Sequence, residues 1–468
     1  MWLLRKANDV SKVTNEMAKR RRARRPRRQG QRSLKGKTVS LDISDMAHGG
    51  SGLSLYRGKP VFVPYTLPGE SITAEISGER GKVLFARGQQ LIAASQDRAE
   101  PRCPHFGPGR CWGCQWQHID YSAQLPLKQD VLADQLSRIG KLPDTVIESA
   151  LKPIMPAPQP WAYNHSLSLL RAESGAWGLK RQERGVEPIQ ECHLAHPDLL
   201  ELLHELDLDY EPAQRMTLRR GSDGRLMLIF EIDAEEEPQL QTDLPLSVNL
   251  ILPDREPVNV IGDTHSMYSI GDRHFRATAG AYMRTNIGAL AGLVAAVQRM
   301  ARMQGGEAIL DLYAGVGIFS AFVAGAVARV TLVESYPPAA GDADHNLADF
   351  DNVDVIEGSV ENVLADMIQE EARYDIALVD PPRSGLSEEV TARLGELGIG
   401  RIVYVSGNAA ALARDCRRLI HSGYRLREIQ PIDLAPQTYY IDAIACFELS
   451  SRRSSSAAIS KSISADVL

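Results

Sequence analysis

The sequence predicts an α/β protein: a doubly wound, Rossmann-like parallel sheet in its C-terminal part, a small OB-like β-barrel near its start, and a central α+β region. Three observations carry this expectation. Beyond residue 266, apolar β-rich runs alternate with helical segments: Ala308–Leu312, Val330–Glu334, Val353–Ile356, Ile376–Asp380 and Ile402–Val405. Such runs, joined by helices, form parallel sheets covered on both faces. Between Thr38 and Leu91, short runs (Val39–Ile43, Pro60–Pro64, Ile72–Ile76) are split by Gly49-Gly50, Arg57–Lys59 and Pro68-Gly69. Frequent turns between short alternating strands predict a barrel. The region between holds a helical stretch, Tyr121–Ile139, and strand-like runs such as Leu226–Ile232. The expected division is a basic arm over 1–36, the barrel over 37–95, the central domain over 96–265, the parallel-sheet domain over 266–449 and a Ser-rich tail over 450–468.

At about 150 residues per domain, 468 residues suit this number of units. The formal charge of -6 conceals a division. Residues 1–36 carry 13 Lys or Arg against Asp9 and Glu16, so the remainder is strongly acidic. Ten of the 17 residues from Lys19 to Lys35 are basic, and a stretch so poor in apolar residues is expected to be disordered. It reads either as a polyelectrolyte holding RNA phosphates by counterion release or as an unconstrained extension, since Met17 is an alternative start. Six cysteines are too few for a disulfide scaffold, and four sit in a metal-site-like pattern, which fits a reducing, cytoplasmic setting. The most apolar run, Leu312–Ala328, is shorter than a bilayer span and broken by glycines, so no membrane association is expected.

The first strand–turn carries the chemistry. Ile309–Phe319 places Gly315 and Gly317 directly after a strand, with Asp311 and Tyr313 beside them. Glu334 ends the next strand, where an acid grips ribose hydroxyls. A dinucleotide fingerprint wants a third glycine, but Ser320 stands in its place, which turns the expectation from NAD toward S-adenosylmethionine. Asp380-Pro-Pro-Arg383 ends another strand, and Pro381 keeps Asp380 extended. Successive carboxyl ends of one parallel sheet are where open α/β folds bind ligands.

With these residues in place, the chain resembles the RNA uracil-5-methyltransferases that carry an N-terminal TRAM domain and act on ribosomal or transfer RNA. The likeness runs from about residue 37 to 449. Its motifs are Ala47–Gly52, Pro68–Glu70, Cys103–Phe106, Cys111–His118 with Tyr121, Gln124, Leu125 and Lys128, Arg138–Gly140, Asp311–Gly317, Asp380–Gly385 and Leu412–Asp415. The resemblance implies an S-adenosylmethionine-dependent, monomeric RNA methyltransferase whose cofactor is held by Arg284, Asp311, Tyr313, Gly315, Gly317, Glu334 and Asp380. It also implies that Cys103, Cys111, Cys114 and Cys192 hold a [4Fe-4S] cluster. The gap of seven residues between Cys103 and Cys111 exceeds the family's usual five, and zinc or unlinked core cysteines are the competing readings.

The family's reaction adds a Cys thiolate to carbon 6 of uracil, methylates the resulting enolate at carbon 5, then removes the carbon-5 proton with a carboxylate. That Cys follows the Tyr-Val-Ser strand; here the segment reads Tyr404-Val-Ser-Gly407, and a glycine forms no adduct. The base motif, Pro-His-Thr-x-His-x-Glu in the family, reads Pro436-Gln-Thr-Tyr-Tyr-Ile-Asp442. The Gln-x-Asn that helps hold the cofactor reads Arg284-Thr-Asn286. Cys416 lies too far along the next helix to replace the nucleophile. Two functions follow: a methyltransferase with altered chemistry and Asp442 as base, or an inactive RNA-binding protein retaining the barrel and cysteine site.

Overall fold

The computed structural model describes residues 33–206, 213–233 and 243–450. The expectations for the basic arm and the Ser-rich tail fall, apart from their junction residues, outside the described residues.

The first region is a six-stranded sheet in the order Thr38–Asp42, Ser71–Arg80, Val83–Ala93, Lys59–Val63, Gly52–Tyr56, Asp45–Met46. Alternate residues point inward, as a half-buried strand requires, and Val39, Leu41, Val61, Val63, Ala74, Ile76 and Leu84 share one core. The Ser54 hydroxyl donates to the Asp42 carbonyl (2.7 Å), linking two strands that are not ladder neighbours.

The cysteine-bearing loops lead into helix Tyr121–Arg138, which begins where the Asp120 carboxylate accepts from the Ser122 N–H (2.9 Å). A seven-stranded sheet follows, running from Pro257–Ile261 at one edge to Val186–Pro188 at the other. Its inner face packs Leu167, Leu169, Met216, Leu218, Leu228 and Phe230 against helix Pro197–Glu205.

The C-terminal sheet has the order Val353–Glu357, Arg329–Glu334, Ala308–Leu312, Ile376–Val379, Arg401–Ser406, Asp442–Leu449, Tyr424–Ile432. The first five strands are parallel and lie where the alternating apolar runs predict them. Leu310 and Leu312 enter one hydrophobic core and Ile309 the other, so both faces are covered. The order reverses between Ala308–Leu312 and Ile376–Val379, opening the crevice at the strands' carboxyl ends. The last two strands are antiparallel. Asp442–Leu449 pairs with Arg401–Ser406 so that Ser406 faces Ala443, which sets Gly407 and Asp442 beside each other at the crevice.

Candidate active site

The glycine turn adopts the conformations its sequence anticipates. Gly315 and Gly317 have φ of 57° and 83°, a region open chiefly to glycine. A Cβ on Gly317 would lie 2.9 Å from Leu347, whereas one on Gly315 would project into open space. Tyr313 also has a positive φ, 59°. Asp311 is fully buried; one carboxylate oxygen accepts from the Ser320 hydroxyl (2.7 Å) and the other has no partner. Burial pushes its pKa up to about 7, against the opposing Ser320 bond. Glu334 accepts from the N–H groups of Gly315 (2.9 Å), Ser335 (2.7 Å) and Tyr336 (2.8 Å), which fixes the turn against the neighbouring strand.

Across the switch point, Arg284 bridges two carboxylates. One guanidinium nitrogen donates to both Asp380 oxygens (2.7 and 2.9 Å), and another donates to Asp442 Oδ1 (3.2 Å). Burial raises the pKa of both acids despite this cation, because desolvation outweighs the pairing. Gly407 lies between the end of its strand and Asn408, whose side chain caps the following helix. A Cβ there would stand 3.1 Å from Asp442 Oδ1, so the vacant side-chain position faces the carboxylate. Cys416 is completely buried on that helix and its thiol is pushed far above the ordinary range, which removes it as a nucleophile. Arg383 stacks on Tyr440, 3.9 Å from the ring centroid, and Tyr282 is exposed.

Cys103, Cys111 and Cys114, from the loops before helix Tyr121–Arg138, and Cys192, from a distant loop, line one cavity of about 180 Å³. Gly113 N–H donates to Cys111 Sγ (3.3 Å) and Gln117 Nε2 to Cys114 Sγ (2.9 Å). The Phe106 N–H donates to the Cys103 carbonyl (3.1 Å) and the Ala195 N–H to the Cys192 carbonyl (3.1 Å), turning the backbone at both cysteines. Among the described residues, no three His, Cys, Asp or Glu side chains converge closely enough to hold one metal ion.

A family model described as tRNA (Uracil-5-)-methyltransferase matches residues 265–448. An uncharacterized RNA methyltransferase of Streptomyces coelicolor is 33% identical over 431 residues, covering 89% of this chain and 94% of the relative. The chain belongs to the same RNA methyltransferase family as that relative. An RNA methyltransferase of Halalkalibacterium halodurans is 32% identical, covering 89% of this chain and 98% of that protein. Among solved structures, the Pyrococcus abyssi tRNA (uracil-54, C5)-methyltransferase in complex with S-adenosyl-L-homocysteine shares the fold. Its TM-score is 0.66 at 22% identity, covering 87% of this chain and 100% of that one.

In this methyltransferase, Arg284, expected to hold the cofactor, joins Asp380, expected beside the cofactor, to Asp442, expected as base. Its sequence position identified a site residue, but no motif disclosed both partners. The motifs assigned the base to the segment ending in Asp442 but did not disclose what holds residues 433–436. Lys128 Nζ donates to Asp433 Oδ1 (2.7 Å) and to the Ala435 carbonyl (3.0 Å), Asn286 Nδ2 to the Leu434 carbonyl (3.0 Å), and Tyr163 OH to the Pro436 carbonyl (2.8 Å). Three buried donors from distant segments thus satisfy carbonyls that a buried loop would otherwise strand.

Proposed function

We propose that this methyltransferase transfers a methyl group from S-adenosylmethionine to a ring or exocyclic nitrogen of an RNA base, with Asp442 as proton acceptor and no covalent enzyme–RNA adduct. The observation that carries the reading is the glycine at position 407, directed at Asp442 where the family places its cysteine. S-adenosylmethionine supplies, when bound, a methyl group on a positively charged sulfur. The glycine turn offers close backbone approach, Glu334 a ribose-gripping acid, and Asp311 an unpartnered buried oxygen suited to a polar or cationic ligand.

A base nitrogen needs no thiolate to become nucleophilic. Its lone pair forms the C–N bond while the methyl–sulfur bond breaks, and the nitrogen's proton passes to the Asp442 carboxylate. Two carboxylates against one guanidinium leave an excess of negative charge, which stabilises positive charge developing on the attacking nitrogen. The raised pKa of Asp442 makes it a better proton acceptor, while Arg284 opposes its premature protonation. Arg383 and Tyr440 supply a flat surface suited to an unstacked base.

In this reading the six-stranded N-terminal sheet is the TRAM-like barrel, and with the basic arm it contacts ribosomal or transfer RNA in the cytoplasm. One chain furnishes Arg284, Asp380, Gly407 and Asp442, so a monomer suffices. The four cysteines would hold a [4Fe-4S] cluster: they line one cavity, and N–H donors serve the Cys111 and Cys114 sulfurs. Purification without oxygen should yield a brown protein with roughly four iron and four sulfide per chain; a colourless, iron-free protein would refute the cluster.

The deciding experiment incubates the protein with labelled S-adenosylmethionine and total RNA, then identifies the labelled nucleoside. An N-methylated base is expected. Labelled 5-methyluridine would overturn the adduct-free route. Absence of any transfer, with RNA binding intact, would favour the inactive RNA-binding reading, which the engagement of both acids by Arg284 also suits.

A further inference from the structure

We infer that Gln437 is a positioning residue for Asp442, through which the Cys111–His118 loop sets the placement of that carboxylate. This rests on the proposed role of Asp442 and adds the means by which it is held.

Gln437 is 2% exposed and has φ of 65°. A non-glycine residue in this region costs about 1–3 kcal/mol unless its surroundings impose the conformation. Here they do. Its carbonyl accepts from the N–H groups of Gln115 (3.0 Å) and Trp116 (2.9 Å), the two residues directly after Cys114. Its own N–H donates to Gln124 Oε1 (2.9 Å), and its side-chain oxygen accepts from Gln124 Nε2 (2.9 Å). The paired amides explain why glutamine, rather than glycine or asparagine, occupies a left-handed position: the side chain contributes a buried bond that offsets the backbone cost.

Four residues, 438–441, lie between Gln437 and Asp442. Upstream, Lys128, Asn286 and Tyr163 already hold 433–436. Downstream, Thr438 Oγ1 donates to the Ala435 carbonyl (2.7 Å), Ile441 is buried, and Asp442 enters its strand. Trp116 extends the same contact to the N-terminal sheet, its indole N–H donating to the Gly50 carbonyl (3.2 Å). A Cβ on Gly50 would meet Tyr439 at 2.9 Å, so that loop also closes on the segment carrying the base. The cysteine loop therefore grips the chain just before the carboxylate, and a change in that loop is transmitted to Asp442 through the Gln437 carbonyl.

The test measures hydrogen exchange over 433–442 in the full chain, beside methyl-transfer kinetics. Gln437→Gly keeps the backbone donor and acceptor, relieves the φ cost and removes the amide pair. Gln124→Leu removes the partner, and Cys114→Ser alters the loop. All three should speed exchange at 438–442 while leaving strands 308–312 and 401–406 protected. The two glutamine variants should lower kcat roughly a hundredfold, as expected for a misplaced catalytic group, with KM for RNA and cofactor affinity within about twofold. Unchanged exchange at 438–442 in both glutamine variants would overturn the inference, as would equal loosening of the whole sheet. Unchanged exchange in Cys114→Ser would overturn the link to the cysteine loop. A wild-type protein that methylates no RNA would refute the proposed function, while the exchange pattern would still decide this linkage.

Discussion

Asp311 carries a carboxyl pushed up to about 7, against an ordinary value of 3.8, because it is fully buried with one oxygen unpartnered. Its proton is retained in the folded state across the interval where the unfolded chain has already released it. Stability from this group is therefore full below about pH 4 and is lost as pH rises through about 7. Asp311→Asn, which still accepts from Ser320, should raise the urea midpoint of ligand-free protein by more at pH 8 than at pH 4 and abolish calorimetric binding of S-adenosylmethionine. Equal midpoint shifts at both pH values would contradict the assignment. Position 407 yields a second prediction. Wild-type protein should form no denaturant-resistant complex with RNA containing 5-fluorouridine, whereas Gly407→Cys should form one if its thiol fits beside Asp442. A wild-type complex, seen on a denaturing gel, would mean that another nucleophile acts. Gly407 was singled out in the sequence through the resemblance of the flanking Tyr404–Ser406. The sequence left Arg284 ambiguous, since a guanidinium reaches partners set only by the assembled sheet.

The elements that bear these residues are held by buried polar knots. Asp415, on helix Ala409–His421, accepts from the Leu386 N–H (2.8 Å), Tyr404 OH (2.8 Å) and Arg414 Nε (2.8 Å), with Arg418 also near. Gly385, at φ 76°, leaves no room for a Cβ against that carboxylate, so the turn after Asp380-Pro-Pro-Arg383 is pinned directly to the helix. Asp415→Ala should cost about 3–5 kcal/mol, because it leaves a buried hydroxyl and a backbone N–H without a partner and takes the carboxylate from Arg414 and Arg418; chemical denaturation would measure it, and a loss under 1 kcal/mol would show the knot to be dispensable. The parallel strands were legible as continuous apolar runs, and helix Tyr121–Arg138 as the helical stretch Tyr121–Ile139. The antiparallel pair Tyr424–Ile432 and Asp442–Leu449 was not, although it decides which residues meet Gly407. Strand direction comes from where a chain returns, and no local pattern encodes that.

Across the molecule, charge is distributed unevenly: the cationic arm precedes a body that is acidic in sum. If the arm supplies the phosphate contacts, deleting residues 1–36 should weaken RNA binding at low salt and flatten the slope of affinity against salt concentration. An unchanged slope would assign the contacts to the folded body. No helix among the described residues is long and apolar enough to cross a membrane, as the glycine-broken run Leu312–Ala328 implied. The division of the chain was visible in its composition, but the traffic between regions was not. Lys128 and Asp433 are 305 positions apart, and Gln124 and Gln437 313. Those pairings bear on how separable the parts are. A fragment containing only residues 265–449 would retain the glycine turn and Asp380, yet Asp433 and the 435–437 carbonyls would lose their donors from 115–163. Such a fragment would be an incomplete catalyst, not a portable one. The architecture permits domains to be recognised one by one but makes their evolution, and any attempt to graft them onto another scaffold, a joint affair.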